Sequence, residues 1–272
     1  MSQDIREEVQ RRYAQIAVGK GSCCGPAGSG CGCSGAISQQ VGYSAEELQA
    51  VPHEADLGLG CGNPLALASL KPGETVLDLG SGGGIDCFLA ARKVGPRGRV
   101  IGVDMTPEMI HLARKNAAKG DYANVEFRLG EIEHLPVADG SVDVAISNCV
   151  INLSVDKPKV FREIFRALKP GGRMMISDIV LTRELPEALQ KSVAAYTSCV
   201  AGAMTRQDYL SAIRAAGFGR VEVLSESGVP LDLWIDFPIP VASEDKGTIS
   251  KEQVKEALGA VVSTRVYAEK NK

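Results

Sequence analysis

Histidine is scarce in this chain of 272 residues: His53, His111 and His134 are the whole complement, and they lie far apart in sequence. No cluster of imidazoles is at hand to bind a metal or run proton transfer, and each of the three reads as structural. Charge of one sign is lacking too. Thirty Lys and Arg stand against thirty-three Asp and Glu, for a net charge of −3, and no basic run is present to neutralise a phosphate backbone. That balance argues against nucleic acid as a partner. No apolar stretch reaches the length of a bilayer span, and the opening MSQDIREE is charged rather than basic and then apolar. These absences predict a cytoplasmic protein without a membrane partner. Internal repeats are missing, as is the paired C-x-x-C spacing of a zinc ribbon.

The chain does hold 44% hydrophobic residues, enough for one large α/β domain with appendages. Apolar runs near 75–79, 99–103, 124–128, 142–147, 172–178 and 220–225 alternate with helical patterns, and a final strand is expected at 261–268. Such alternation predicts a mainly parallel sheet covered by helices on both faces. Ile5, Val9, Tyr13 and Ile16 recur at helical spacing, so a first amphipathic helix is expected to lay its apolar face on the main domain. Ser44 and Glu47 form a capping box, Asn63-Pro64 opens a further helix, and Thr205 caps one ending at Gly217. Residues 19–35 are almost wholly Gly, Ser, Ala and Cys and read as a loop or lid; residues 227–258, with three prolines and a late helix from Ser250, read as an insertion. The expected organisation is 1–69 as an N-terminal helix, Cys/Gly-rich loop and cap, 70–225 as the core, and 226–272 as an insertion with the last strand.

Val76-Leu77-Asp78-Leu79-Gly80-Ser81-Gly82-Gly83-Gly84 is an apolar run ending in an acid and spaced glycines, followed at once by a helical pattern. Glycines there permit positive φ and close backbone approach to a ligand, and the next helix offers its N-terminal amides. Val100-Ile101-Gly102-Val103-Asp104 reads as a second buried strand, ending in an acid placed to grip a ribose diol. Lys169-Pro170-Gly171-Gly172 forms a turn entering the strand Met174-Met175-Ile176-Ser177-Asp178. Together these motifs resemble the class I S-adenosylmethionine-dependent methyltransferases over residues 70–225. The resemblance implies a Rossmann-like α/β fold with a mainly parallel seven-stranded sheet. It also implies S-adenosylmethionine as cofactor, with Asp78, Gly80, Ser81, Gly82 and Gly84 at the methionine end and Asp104 at the ribose hydroxyls. Glu131 and Ile132 then flank the adenine, and Met105 and Asn148 belong to the same site.

Cysteines occupy positions 23, 24, 31, 33, 61, 87, 149 and 199. In a reducing compartment they are expected to be thiols serving reactivity or metal binding. Cys149 follows the fourth strand, where residues just past the carboxyl end face the ligand crevice, so its thiol is expected to look toward the reactive methyl. Cys199 lies in a segment able to fold over the same crevice. Cys61, between Gly60 and Gly62 before a helix start, has backbone freedom and a positive dipole that favour thiolate. Cys87 reads as a core filler, and Cys23, Cys24, Cys31 and Cys33 offer a four-thiolate zinc alternative.

GLGCGNP around Cys61, SNCVINL around Cys149 and CVAGA from Cys199, joined to the cofactor motifs, resemble the three signature cysteines of the arsenite methyltransferase family. By that resemblance Cys61, Cys149 and Cys199 hold As(III), Cys24 is the fourth catalytic cysteine, and arsenite and methylarsenite are the substrates. The arsenic lone pair takes the methyl group without a general base, and a thiol reductant of thioredoxin or glutathione type restores the trivalent state. Two rivals remain: a quinone-biosynthesis-like C-methyltransferase, which shares the 76–178 motifs, and a thiol-based metalloid-sequestering protein on the same scaffold.

Overall fold

The computed structural model describes residues 2–19, 33–64, 69–186, 190, 196–197, 199–228 and 259–272. Seven strands, β1 (Thr75–Leu79), β2 (Arg99–Asp104), β3 (Val125–Leu129), β4 (Val142–Asn148), β5 (Leu168–Leu181), β6 (Arg220–Gly228) and β7 (Val261–Glu269), form one sheet in the order β3-β2-β1-β4-β5-β7-β6. β1 to β5 pair in parallel, while β7 runs antiparallel between β5 and β6. The helices are α1 (Ser2–Ala17), α2 (Cys33–Gln40), α3 (Ala45–Gln49), α4 (Ile85–Val94), α5 (Pro107–Lys119), α6 (Lys157–Ala167) and α7 (Arg206–Ala215). Among the described residues no helix is long and apolar enough to cross a membrane. This is the Rossmann-like class I methyltransferase architecture expected from the motifs.

Side chains alternate along each strand and so feed two cores. Leu77 and Leu79 of β1 join Phe161 and Ile164 of α6 and Tyr209 and Ile213 of α7, whereas Val76 joins Phe88 of α4 and Ile110 and Ala113 of α5. Both faces of the sheet are therefore covered, which is why the central strands are apolar on both sides. Ser44 and Glu47 make the reciprocal capping box at α3, and the Thr205 hydroxyl accepts from the Asp208 amide at α7. Val9 of α1 is fully buried against the domain.

The structure departs from the sequence reading at β5. The Lys169–Gly172 stretch is not a turn ahead of a strand beginning at 172; the strand starts at Leu168 and absorbs the glycines as an irregularity, with Gly171 at φ 74° and a register shift between Val142 and Val144 opposite. Pairing with β4 on one side and β7 on the other keeps this long strand extended. The helix expected from Ser250, and nearly all of 227–258, lie outside the described residues.

Phe161 is fully buried and meets Tyr209 edge to face, with ring centroids 5.2 Å apart. Phe161→Ala should lower stability by about 3–5 kcal/mol. Urea denaturation followed by circular dichroism checks this, and a loss under about 1 kcal/mol would mean that α6 does not carry the core on that face.

Candidate active site

The carboxyl ends of β1, β2 and β4 open onto one cleft, where strand order reverses between β1 and β4. Gly80, Gly82 and Gly84 take φ of 69°, 51° and 97°, left-handed values that strain any residue with a Cβ. The Gly80 and Ser81 amides donate to the Val103 carbonyl at 2.8 and 3.0 Å, which locks this turn to β2. A Cβ on Gly80 would sit 2.4 Å from Val150 and one on Gly83 2.9 Å from the Ala55 carbonyl oxygen, so glycine serves close packing there, whereas at Gly82 nothing lies within 4 Å and bare backbone faces the cleft. Asp104 closes the turn: its carboxylate accepts from the Gly82 amide at 3.0 Å and the Thr106 amide at 2.9 Å. Burial raises its pKa, against the pull of those amides. The Ser81 hydroxyl is buried in the lining without a hydrogen-bond partner among the described residues. The cleft holds about 1080 Å³ of atom-free space, the open solvent at its mouth included.

Of the residues expected at the cofactor, Asp78, Gly80, Ser81, Gly82, Asp104, Met105, Ile132 and Asn148 line this cleft, and Gly84 and Glu131 do not. Gly84 is the N-cap of α4, where a Cβ would lie 2.7 Å from the Phe88 ring; glycine serves packing there. Glu131 turns outward to Arg6 at 3.3 Å, and the buried Glu133 takes the place on the wall, accepting from the Ser154 hydroxyl at 2.6 Å. Sequence reasoning also missed Asp86, in the first turn of α4. Its carboxylate accepts from the Tyr43 hydroxyl at 2.7 Å and the Asn148 amide at 3.2 Å, and burial pushes its pKa up to about 6.

Beside the cleft, Cys61, Cys149 and Cys199 meet in an apolar cluster with Ile179, Leu181, Leu185, Val200 and Val261. Cys149, the first residue past β4, lines the cleft as well. Its φ is 60° and that of Cys199 is 65°, so two of the four non-glycine residues with positive φ among those described are these cysteines. Such strain persists only where the surroundings enforce it, and it marks functional sites. Here the Cys149 amide donates to the Ser177 carbonyl at 2.8 Å, and the Cys199 thiol donates to the Cys149 carbonyl at 3.0 Å. The Cys61 amide donates to Asn148 Oδ1 at 3.0 Å, and the Ser263 hydroxyl of β7 donates to the Cys61 carbonyl at 2.8 Å.

Two sequence expectations about the cysteines are corrected. Cys61 is not tuned toward thiolate by a helix start: burial raises its pKa, because β5 and β7 close over its loop. Cys87 is buried, as expected of a core filler, but its thiol also donates to Asp78 Oδ2 at 3.2 Å and so supports the acid at the end of β1. The Cys149 thiol is pushed well up, first by hydrogen bonds to the Cys199 and Cys61 sulfurs and then by burial. Cys23, Cys24 and Cys31 lie outside the described residues, so neither the fourth catalytic cysteine nor the zinc alternative has a described position.

Asp178, in the middle of β5, went unassigned in the sequence. One of its oxygens and the sulfurs of Cys61 and Cys149 lie within 4.8 Å of one another. Asn152 Nδ2 and the Tyr209 hydroxyl donate to the carboxylate at 2.9 and 3.1 Å, and burial pushes its pKa up to about 7. An acid inside an apolar strand was the available signal.

Residues 70–217 match the family model described as a methyltransferase domain. The chain is 54% identical over 231 residues to the arsenite methyltransferase of Halobacterium salinarum, covering 81% of this chain and 59% of that one. Against the arsenite methyltransferase of Aquipseudomonas alcaligenes it is 39% identical over 221 residues, covering 79% and 62%. The crystal structure of an arsenic(III) S-adenosylmethionine methyltransferase from Chlamydomonas reinhardtii superposes with a TM-score of 0.62 at 30% identity, covering 87% of this chain and 73% of that one. The chain thus spans 59–62% of the length of these two curated relatives.

Burial that lifts Asp178 to about 7 makes the folded protein hold a proton that the unfolded chain releases near the ordinary carboxyl value of 3.8. That contribution is fully present below about pH 4 and is lost as pH rises through about 7, at no more than about 1.4 kcal/mol per pH unit. Asp178→Asn, which cannot ionise, should therefore gain stability relative to the parent between pH 5 and 8. Urea denaturation at the two pH values reads the difference, and parallel changes in both proteins would exclude a buried ionising Asp178.

Proposed function

We propose, for a chain that belongs to the arsenite methyltransferase family of class I S-adenosylmethionine-dependent methyltransferases, that it methylates trivalent arsenic held by its own cysteines. The observation that carries this reading is the meeting of Cys61, Cys149 and Cys199 in an apolar cluster adjoining the cleft, with Cys149 belonging to both. A quinone-type carbon methyltransferase has no use for that cluster, and a sequestering protein has no use for the cleft.

S-adenosylmethionine fits the cleft. A Cβ on Gly82 would project into open space on the cleft wall, and the orphaned Ser81 hydroxyl awaits a polar partner. When bound it supplies an electrophilic methyl on a sulfonium. Asp78 and the 80–84 turn hold its amino-acid end, Asp104 its ribose hydroxyls, and Ile132 flanks its base.

Burial of the thiols matches the chemistry of the acceptor. Arsenite is the neutral As(OH)3, and each As–S bond forms as a thiol proton leaves with one hydroxide as water. Three thiols and As(OH)3 give the tris-thiolate and three waters, so no charge is created and raised thiol pKa values do not oppose binding. A soft centre prefers sulfur to oxygen or nitrogen, and a neutral product suits an apolar pocket. Cys149 lines the cleft, so arsenic bound to its sulfur would lie beside the cofactor's methyl group. Orientation of this kind is worth roughly 7–11 kcal/mol of barrier, and no general base is required.

Methyl transfer leaves arsenic pentavalent, two electrons short of the next round. Cys24, with a thioredoxin or glutathione donor, returns them as two thiols become a disulfide, and methylarsenite becomes the next substrate. A reducing compartment such as the cytoplasm keeps the cysteines competent.

Cys149→Ser and Cys199→Ser should each abolish arsenic methylation, scored by product speciation, with cofactor affinity within about twofold of the parent, because a hydroxyl is a poor ligand for a soft centre. Full methylation by Cys149→Ser would sink the site. Asp104→Asn, titrated calorimetrically with S-adenosylmethionine alone, should lose about 1.5–3 kcal/mol of binding; unchanged affinity would remove Asp104 from the cofactor site.

A further inference from the structure

Helix α1 forms one wall of the cleft, offering Arg6, Val9 and Tyr13 from a single face at i, i+3 and i+7 spacing. Three ties fasten it. Arg6 reaches Glu131 and Glu133 beyond β3 at 3.3 and 3.4 Å, and Gln10 Nε2 donates to the Met105 carbonyl beyond β2 at 2.9 Å. Arg12 donates to the Thr197 hydroxyl at 2.7 Å, two residues ahead of Cys199. The helix therefore bridges the cofactor side and the cysteine side of the site, and Tyr13 adjoins the tie on the cysteine side.

Tyr13 is half-buried and lines the cleft together with Asp104 and Cys149, and its hydroxyl makes no hydrogen bond among the described residues. Burial, and then the negative charge that Cys199 and Cys149 would carry as thiolates, hold its pKa well above the ordinary value, with Asp104 adding to the effect. The phenol is therefore neutral, and those groups are its electrostatic neighbours.

We propose that Tyr13 is a positioning residue for the transferred methyl group, presented by α1 to the same cleft that Asp104 and Cys149 line, where it would receive a sulfonium. The inference rests on the family's cofactor occupying the cleft and not on arsenic being the acceptor. An aromatic face attracts a cation, and a hydroxyl lone pair attracts the polarised hydrogens of a methyl bound to S⁺. S-adenosylhomocysteine is a neutral thioether without that methyl, so both attractions end with transfer, and Tyr13 distinguishes reactant from product.

Calorimetric titration of both ligands without arsenic tests this. Tyr13→Phe keeps the packing and removes the oxygen; it should weaken S-adenosylmethionine about three- to tenfold and S-adenosylhomocysteine less than twofold. Tyr13→Leu, which removes the ring too, should widen the gap between the two ligands. Parallel losses for both ligands, as a merely structural wall would give, or no loss for either, would overturn the proposal. A protein that shows the selective loss yet methylates no arsenite would defeat the proposed function and leave this inference standing.

Discussion

The amide of Asn148, at the end of β4, is the joint on which the rest of the site depends. Its oxygen accepts from the Cys61 amide while its nitrogen donates to the Gly62 carbonyl and the Tyr43 hydroxyl, both at 2.8 Å, and to Asp86. A neutral carboxamide supplies donor and acceptor together in a place where a charge would be costly. The loop it grips has to come very close. A Cβ on Gly60 would lie 2.6 Å from Asn148 Nδ2, and one on Gly62 1.8 Å from the Ser177 hydroxyl oxygen. Cleft and thiol cluster are consequently a single object, joined through one side chain.

Around that joint the titratable groups are pushed toward their neutral forms. Burial raises Asp78, Asp86, Asp178 and the Cys61 thiol, and hydrogen bonds to the neighbouring sulfurs, then burial, raise that of Cys149. Burial lowers Lys157, whose ammonium donates to the Ser154 carbonyl at 2.8 Å. Such an interior accepts an uncharged guest more readily than an oxyanion, since desolvation penalises every ion brought in. The proposed substrate, neutral As(OH)3, is a guest of that kind, and a phosphate-like anion is not.

What the sequence made legible was local. The glycine turn after β1 and the acid after β2 are fixed by backbone conformation and strand ends, and both occupy the cleft as read. Cys149 was found by the rule that residues past a strand's carboxyl end face the crevice. Non-local effects escaped. Cys61 looked poised for thiolate until β5 and β7, arriving from far along the chain, enclosed it. Asp178 was hidden inside an apolar strand, and Tyr13 inside the apolar stripe of an amphipathic helix, because periodicity says which face is buried but not what that face meets. Gly84 and Glu131 matched their motifs and yet point elsewhere, since a motif fixes neighbours in sequence and not the direction of each side chain.

β7 is the last described element in the chain and sits between β5 and β6, donating Ser263 to the Cys61 carbonyl. During synthesis, therefore, the glycine turn, Asp104 and all three site thiols leave the ribosome before the strand that pins the first of those thiols. A nascent chain lacking β7 leaves β5 with an open edge and the Cys61 loop without that support. The Cys61 loop gains this support only once β7 lies between β5 and β6, so the three thiols are brought together late in synthesis.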